Sequence, residues 1–188
     1  MEILLKIDTV CFHFINQSLS NPVFDFIMPL FHYTKYSVPF ILILWLLAVF
    51  YDKPNRWKLA LIPLIIILVD QSGLWIKKIV LRPRPFVTMT PEIIHHLVPP
   101  SGSYLSFPSN HAANNATLAI VFSAIYYHLR YIFWVLAIAI MFSRVYIGVH
   151  YPLDVISGFI LGSVYGLLFV KGWDYFNKES SDLTEDLI

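Results

Sequence analysis

Five apolar stretches, at residues 36–51, 59–79, 112–127, 131–143 and 153–170, constrain this chain more than any other feature. A helix needs about 20 residues to cross the hydrocarbon layer. Several of these runs are slightly shorter, and flanking Tyr, Trp and Ser side chains complete them at the interface. Continuous apolar runs without strand alternation indicate helices, because inside lipid every backbone N–H and C=O must be satisfied within its own element. Composition closes the soluble route. Hydrophobic residues make up 57% of the 188 and charged residues 13%, and so short a chain has too little interior to hide that much apolar surface. The same balance excludes intrinsic disorder. The expected fold is all-α, a polytopic transmembrane helical bundle of about five spans, or six if residues 22–31 also cross.

Residues 1–35 are expected to lie at the interface. Ile3, Leu4, Ile7, Val10, Cys11, Phe14 and Ile15 recur at helical spacing and alternate with Asp8, Asn16 and Gln17, the pattern of an amphipathic interfacial helix. Residues 22–31 are apolar but short, and Asp25 interrupts them. Residues 36–172 form the expected bundle. Residues 173–188, with Glu179, Asp182, Glu185 and Asp186, read as an acidic, poorly ordered cytosolic tail. The start lacks a basic segment followed by a clean apolar core, so no cleaved signal peptide is expected. Cys11, the single cysteine, has no internal partner. With 13 basic against 12 acidic residues, bulk charge gives no reason to expect nucleic-acid binding. Nothing implies an obligate protein partner; the bilayer itself is the expected surrounding.

Loop charge supplies an orientation. Lys53, Arg56, Lys58, Arg130 and Lys171 fall on one face if the spans alternate, and Trp57, Trp134 and Trp173 lie at the same level. The positive-inside tendency makes that face cytosolic. Lys77, Lys78, Arg82, Arg84 and Arg144 sit on the opposite face and weaken the rule unless they have other work.

They belong to a polar constellation that lipid would otherwise exclude. Lys77 and Arg84 close the second span, Ser109 and His111 open the third, and Arg144, His150 and Asp154 flank the turn from the fourth to the fifth. Alternating spans bring all of these to one membrane depth. Cations with few acidic neighbours call for an anion, and guanidinium forks match phosphate oxygens. Ser109 reads as the N-cap of a helix whose free N–H groups suit an oxyanion. Histidine is the side chain best suited to proton transfer or nucleophilic attack near neutral pH. Asp154 follows His150 by four residues and can accept one ring N–H, leaving the other nitrogen to face the anion.

The segments Lys-x6-Arg-Pro, Pro-Ser-x-His and Ser-Arg-x5-His-x3-Asp, in that order from Lys77 to Asp154, resemble the three signatures of the type-2 phosphatidic acid phosphatase superfamily of membrane lipid phosphatases. The resemblance implies hydrolysis of a lipid phosphate or diphosphate through a phosphohistidine. It makes His150 the nucleophile, His111 the acid and then the base, and Asp154 the residue orienting His150. Lys77, Arg84, Ser109 and Arg144 would hold the phosphate. Where the family usually has Pro-Ser-Gly-His, this chain has Pro-Ser-Asn-His; Asn tolerates unusual backbone angles, so Asn110 is expected to keep a backbone N–H aimed at phosphate. No metal or other cofactor is implied, because the donor set lacks a carboxylate cluster or a three-ligand zinc site. The implied location is a bacterial inner membrane with the site facing the periplasm or exterior. Undecaprenyl diphosphate, phosphatidylglycerol phosphate and the 1-phosphate of lipid A all fit as substrates, with residues 86–107 as the selectivity element. Two other readings stand beside this one: a lipid-phosphate binding or flipping protein without chemistry, and a vanadium haloperoxidase-like enzyme, whose motifs are similar.

Remaining polar residues carry weaker expectations. Lys78 and Arg82 suit snorkelling at a span end as well as they suit the site. His13, His32, His95, His96 and His128 read as structural, although His95 and His96 lie in the loop before the second motif and could touch a head group. Asp70, inside the second span, shares a helix face with Gly73 and Lys77 and is expected to brace the site through a cation or water. Gly158, Gly162 and Gly166 recur every four residues and read as close helix packing.

Overall fold

In the computed structural model of the chain, residues 2–99 and 103–185 are described. Among them the regular structure is helical: α1 (Glu2–His13, continued by a π turn over Phe14–Ser18), α2 (Pro22–Ile27, continued by a 3-10 turn over Met28–Phe31), α3 (Thr34–Tyr51), α4 (Arg56–Ala60), α5 (Ile62–Val80), α6 (Pro85–Thr88), α7 (Asn110–Ile125), α8 (Arg130–Tyr146) and α9 (Pro152–Glu185). The segments Lys53–Val80, Tyr127–Tyr146 and Pro152–Phe176 are long and apolar enough to cross a membrane, and Pro22–Phe31 and Val38–Tyr51 are shorter apolar helices. The all-α polytopic bundle expected from the apolar runs is therefore the fold.

At the centre stands α7, packed against α9, α8 and α5. It is the least apolar of the expected crossings and carries Asn110, Asn114, Asn115 and Thr117. Neighbours cover it so fully that Ala124 is its sole exposed residue. Buried Ala112, Ala113, Ala116 and Ala119 let the surrounding helices approach. The closest approach is to α9, where a Cβ on Gly158 would fall 2.3 Å from the Ser109 carbonyl oxygen and one on Gly162 would fall 1.9 Å from that of Ala113. Only glycine permits that spacing, and the Thr117 hydroxyl uses it to donate to the Gly162 carbonyl at 2.9 Å. The glycine stripe is close helix packing, as its spacing suggests. Outer helices present apolar side chains outward, such as Phe40 and Ile43 of α3, Ile132 and Val135 of α8, and Ile160 and Leu168 of α9.

Chain ends depart from or refine the expectations. Ile3, Leu4, Ile7, Val10 and Phe14 of α1 and its π turn are exposed, whereas Asp8, Phe12 and Asn16 are buried. The helix thus turns its apolar stripe outward and Asp8 and Asn16 onto the protein, the arrangement expected of a segment bathed by lipid. Helix α9 runs on past the last apolar stretch to Glu185. Asp174 lies 3.7 Å from Lys58, whose ammonium also stands 5.8 Å from the centre of the Trp173 ring. These contacts hold the extension against α4.

Candidate active site

Local capping decides where the polar residues point. Helix α5 ends at Leu81, which takes a left-handed backbone with φ 53 and bonds back to the Lys77 carbonyl at 2.9 Å. That stop lets residues 82–84 run antiparallel to 104–106: Ser106 N–H donates to the Arg82 carbonyl at 2.7 Å and Arg84 N–H to the Tyr104 carbonyl at 3.0 Å. Ser109 caps α7 by accepting the Ala112 N–H at 3.4 Å. Tyr151 precedes α9, Pro152 opens it, and Asp154 Oδ2 reaches back to the Tyr151 N–H at 2.8 Å, half of a capping box.

These stops gather the expected residues at one end of the bundle. Lys77, Ser109, Arg144, His150 and Asp154 are all buried. Lys77 Nζ donates to the carbonyls of Ser106, at 3.1 Å, and Pro108. Arg84 Nε reaches the Leu105 carbonyl at 3.3 Å, while Arg144 Nη1 meets His32 Nδ1 at 3.4 Å. The second and third motifs are joined directly, since Ser109 N–H donates to the Asp154 carbonyl at 2.9 Å; within the third, His150 N–H donates to the Arg144 carbonyl at 3.1 Å. His111, on the first turn of α7, lies within electrostatic reach of Arg144, His150, His32 and Arg84. His150 Nδ1 stands 3.5 Å from Asp154 Oδ2. This is a close electrostatic approach and longer than a formed hydrogen bond.

The electrostatics follow from burial. His150 lies in the turn between α8 and α9, and burial pushes its pKa down to about 4 against the opposing pull of Asp154; Arg84 adds to the depression. Its imidazole is therefore neutral near pH 7. Burial likewise lowers the pKa of Arg84, against the pull of Asp154. The site joins a cationic rim to an uncharged imidazole, an arrangement suited to holding an oxyanion.

Asn110 and Asp70 meet between α5 and α7. The Asn110 side chain does not face this cluster: its Nδ2 donates to Asp70, at 3.2 Å to the carbonyl and 3.0 Å to Oδ1. Only its backbone N–H remains on the first turn of α7. Asp70 in turn is held by amides, with Asn114 Nδ2 also donating to its Oδ1 at 3.0 Å, and lies within electrostatic reach of Lys77. A carboxylate inside a span needs donors, and α7 supplies them.

Three residues outside the expected set touch it. Arg82 donates to Asp154 Oδ1 at 2.8 Å and pairs with Asp8; nothing in a run of four cations says which ones face a carboxylate. His32 meets Arg144 across 112 positions of chain, a separation no local spacing could reveal. Ser106 supplies the carbonyl on Lys77. Residues 86–107, expected to select substrate, are tied back to the amino-terminal segment: His95 Nε2 lies 2.9 Å from Asp25 Oδ1, and His95 N–H donates to Asn16 Oδ1 at 2.9 Å. His95 is structural, while His96 stacks on Phe86 at 4.8 Å, beside Arg84. Residues 100–102 lie outside the described part. Among the described residues, no group of three or more His, Cys, Asp or Glu side chains could hold a metal ion.

Comparison with known proteins agrees with the motifs. The chain is 34% identical over 182 residues, 90% of its own length and 78% of the relative's, to a lipid A 4'-phosphatase of Bacteroides thetaiotaomicron. It is 36% identical over 93 residues, 48% of its length and 45% of the relative's, to the undecaprenyl-diphosphatase BcrC of Bacillus subtilis. The crystal structure of LpxE from Aquifex aeolicus superposes with a TM-score of 0.74 at 27% identity, covering 88% of this chain and 95% of that one. The PAP2 superfamily pattern matches residues 56–178, a stretch holding every residue of the three motifs. With the motifs in order, the bundle architecture and these relatives in agreement, the chain belongs to the PAP2 superfamily of phosphatases.

Proposed function

We propose that this PAP2-type membrane hydrolase removes a phosphate monoester from a lipid head group through a phosphohistidine on His150. The observation that carries the reading is the bond from the second motif to the third, Ser109 to Asp154, with Arg144 bonded to His150 inside the third, around a neutral buried imidazole. Lys77, Arg84 and Arg144 supply the positive charge, and the first turn of α7 supplies N–H donors, for the oxygens of the transferring group.

The reaction balances without a further reactant besides water. His150 Nε2, on the ring edge away from Asp154, attacks phosphorus, and the bond to the leaving lipid oxygen breaks. His111 gives that oxygen its proton. A water molecule then attacks the phosphohistidine, passing a proton to His111, and the P–N bond breaks to release inorganic phosphate and restore His150. Asp154 supports the positive charge that the ring carries while phosphorylated.

A lipid substrate is supported by a cavity of about 590 Å3 between α3, α7 and α8, lined by Phe40, Trp45, Leu118, Phe122, Phe133 and Ile140. Asn115, whose Nδ2 donates to the His111 backbone carbonyl at 2.8 Å, also lines it. The match over 90% of the chain to a lipid A 4'-phosphatase favours a glycolipid phosphate monoester. The half-chain match to an undecaprenyl-diphosphatase makes a polyprenyl diphosphate the second reading. Five crossings by α3, α5, α7, α8 and α9, with Lys53, Arg56 and Arg130 on the cytosolic side, would set the site at the outer face of a bacterial inner membrane.

Phosphate release by the detergent-solubilised protein tests this across lipid A 4'-phosphate, lipid A 1-phosphate, phosphatidylglycerol phosphate and undecaprenyl diphosphate. Turnover of one of them that vanishes in His150→Ala is the expected result. No release from any of the four would leave a binding or flipping role.

A further inference from the structure

Helix α1 lies outside residues 56–178, the part of the chain matched by the family, yet it reaches the site. Asp8 is 2% exposed. Its Oδ1 accepts the Leu153 N–H at 2.8 Å, so α1 caps the first turn of α9 from outside. Its Oδ2 pairs with Arg82 Nη2. The other arm of that guanidinium, Nη1, donates to Asp154 Oδ1 at 2.8 Å, and Asp154 Oδ2 faces His150 Nδ1. Phe12 seats the helix, its ring 5.3 Å from that of Tyr151, and Arg82 stacks over the same Tyr151 ring at 4.1 Å.

Two carboxylates share one guanidinium in this buried chain of groups, so it carries one negative charge in excess. A lone Arg82–Asp154 pair would be neutral, and Asp154 would give its charge to Arg82 rather than to the ring of His150. Asp8 draws Arg82 toward itself and returns that charge to Asp154. The excess matches the positive charge that His150 gains once its Nε2 is bonded to phosphorus, and in a low-dielectric surrounding such a match weighs heavily.

We infer that Asp8 is a positioning residue for phosphoryl transfer, acting through Arg82 to leave the charge of Asp154 available to His150. The inference rests on His150 being the nucleophile. It assigns a catalytic consequence to an amino-terminal helix that otherwise looks like a membrane-surface anchor.

The test uses the full chain in detergent as wild type, Asp8→Asn, Arg82→Gln, the double variant Asp8→Asn/Arg82→Gln and His150→Ala. Turnover is measured on the lipid that the panel selects, and orthovanadate affinity by vanadium NMR. Vanadate bonds to a nucleophile in the shape of the transferring phosphoryl group, so it reads the site without a lipid. Asp8→Asn keeps an oxygen for the Leu153 N–H and removes only charge. Expected are a fall of about tenfold in kcat and in vanadate affinity with KM unchanged, and recovery to within about threefold of wild type in the double variant, where no guanidinium competes with His150 for the charge of Asp154. A purely structural role predicts instead that the double variant is at least as poor as Asp8→Asn.

That result, or Asp8→Asn within about threefold of wild type, overturns the inference. If Asp8→Asn does not yield a monodisperse particle, the double variant decides: within about threefold of wild type it supports the inference, and below that it overturns it. Vanadate binding that His150→Ala leaves unchanged overturns the assignment of His150, and the inference with it. Vanadate binding that needs His150, without turnover of any lipid, removes the substrate reading alone and leaves the vanadate arm to judge Asp8.

Discussion

Asn110 fills the space that any side chain on Gly73 would need: its Oδ1 lies 2.5 Å from where a Cβ on that glycine would stand. The Asn in Pro-Ser-Asn-His is thus complementary to a glycine one turn below Lys77, and Asp70 holds its amide from the same helix. The pair sets the distance between α5, which carries Lys77, and α7, which carries Ser109 and His111.

Overfilling that contact should destabilise the bundle. Gly73→Ala is expected to cost about 1–3 kcal/mol, read as a lower melting temperature in detergent, and Gly73→Ala combined with Asn110→Gly should recover most of the loss. Additive losses in the double variant would show that the two positions do not share the space.

Asp70 is expected to matter for stability more than for chemistry. Asp70→Leu removes the acceptor of the Asn110 and Asn114 amides and leaves buried donors unmet, at about 1–3 kcal/mol for each. Thermal melting should fall clearly, while KM for the lipid changes little in the protein that remains folded. A melting temperature equal to wild type would mean that those amides find other partners.

The two histidines should separate by leaving group. His150→Ala is expected to fold and to have no measurable turnover. His111→Ala should lose about 10²–10⁴ in kcat on an alkyl phosphate and much less on p-nitrophenyl phosphate, whose leaving group needs no proton. Equal losses on both substrates would remove His111 from the proton-donor role.

Acid should leave the nucleophile free for longer than an ordinary histidine permits. Folding lowers the His150 pKa to about 4 by burial, so between the unfolded value of about 6.5 and about 4 the unfolded chain binds a proton that the folded one does not. The stability owed to a neutral His150 is complete above about pH 6.5 and drains away as pH falls toward 4. In kcat/KM, the acid limb belonging to this group should lie well below 6.5. A single limb at 6.5 that disappears in His150→Ala would contradict the burial argument.

Chelation should not matter. The charge on the transferring group is met by Lys77, Arg84 and Arg144, so turnover after dialysis against EDTA is expected to equal that of untreated protein. Loss of activity restored by a divalent cation would mean that another group carries the charge.

The apolar runs alone determined that this chain is a helical membrane bundle, because hydrocarbon demands internally satisfied backbones wherever a chain crosses it. The order Lys77, Arg84, Ser109, His111, Arg144, His150, Asp154 was equally legible, since alternating helices return span ends to one depth whatever their packing. Partner choice was not legible. Whether Arg82 snorkels or grips Asp154, where the Asn110 side chain finds its partner, and whether α1 is only an anchor depend on helix rotation and on which helix lies beside which. Those follow from glycine and alanine contacts along α7 and α9, and from buried charges finding counter-charges more than seventy residues away. Hydropathy and spacing carry no such information, because a side chain's partner is decided by the three-dimensional space that its neighbours leave.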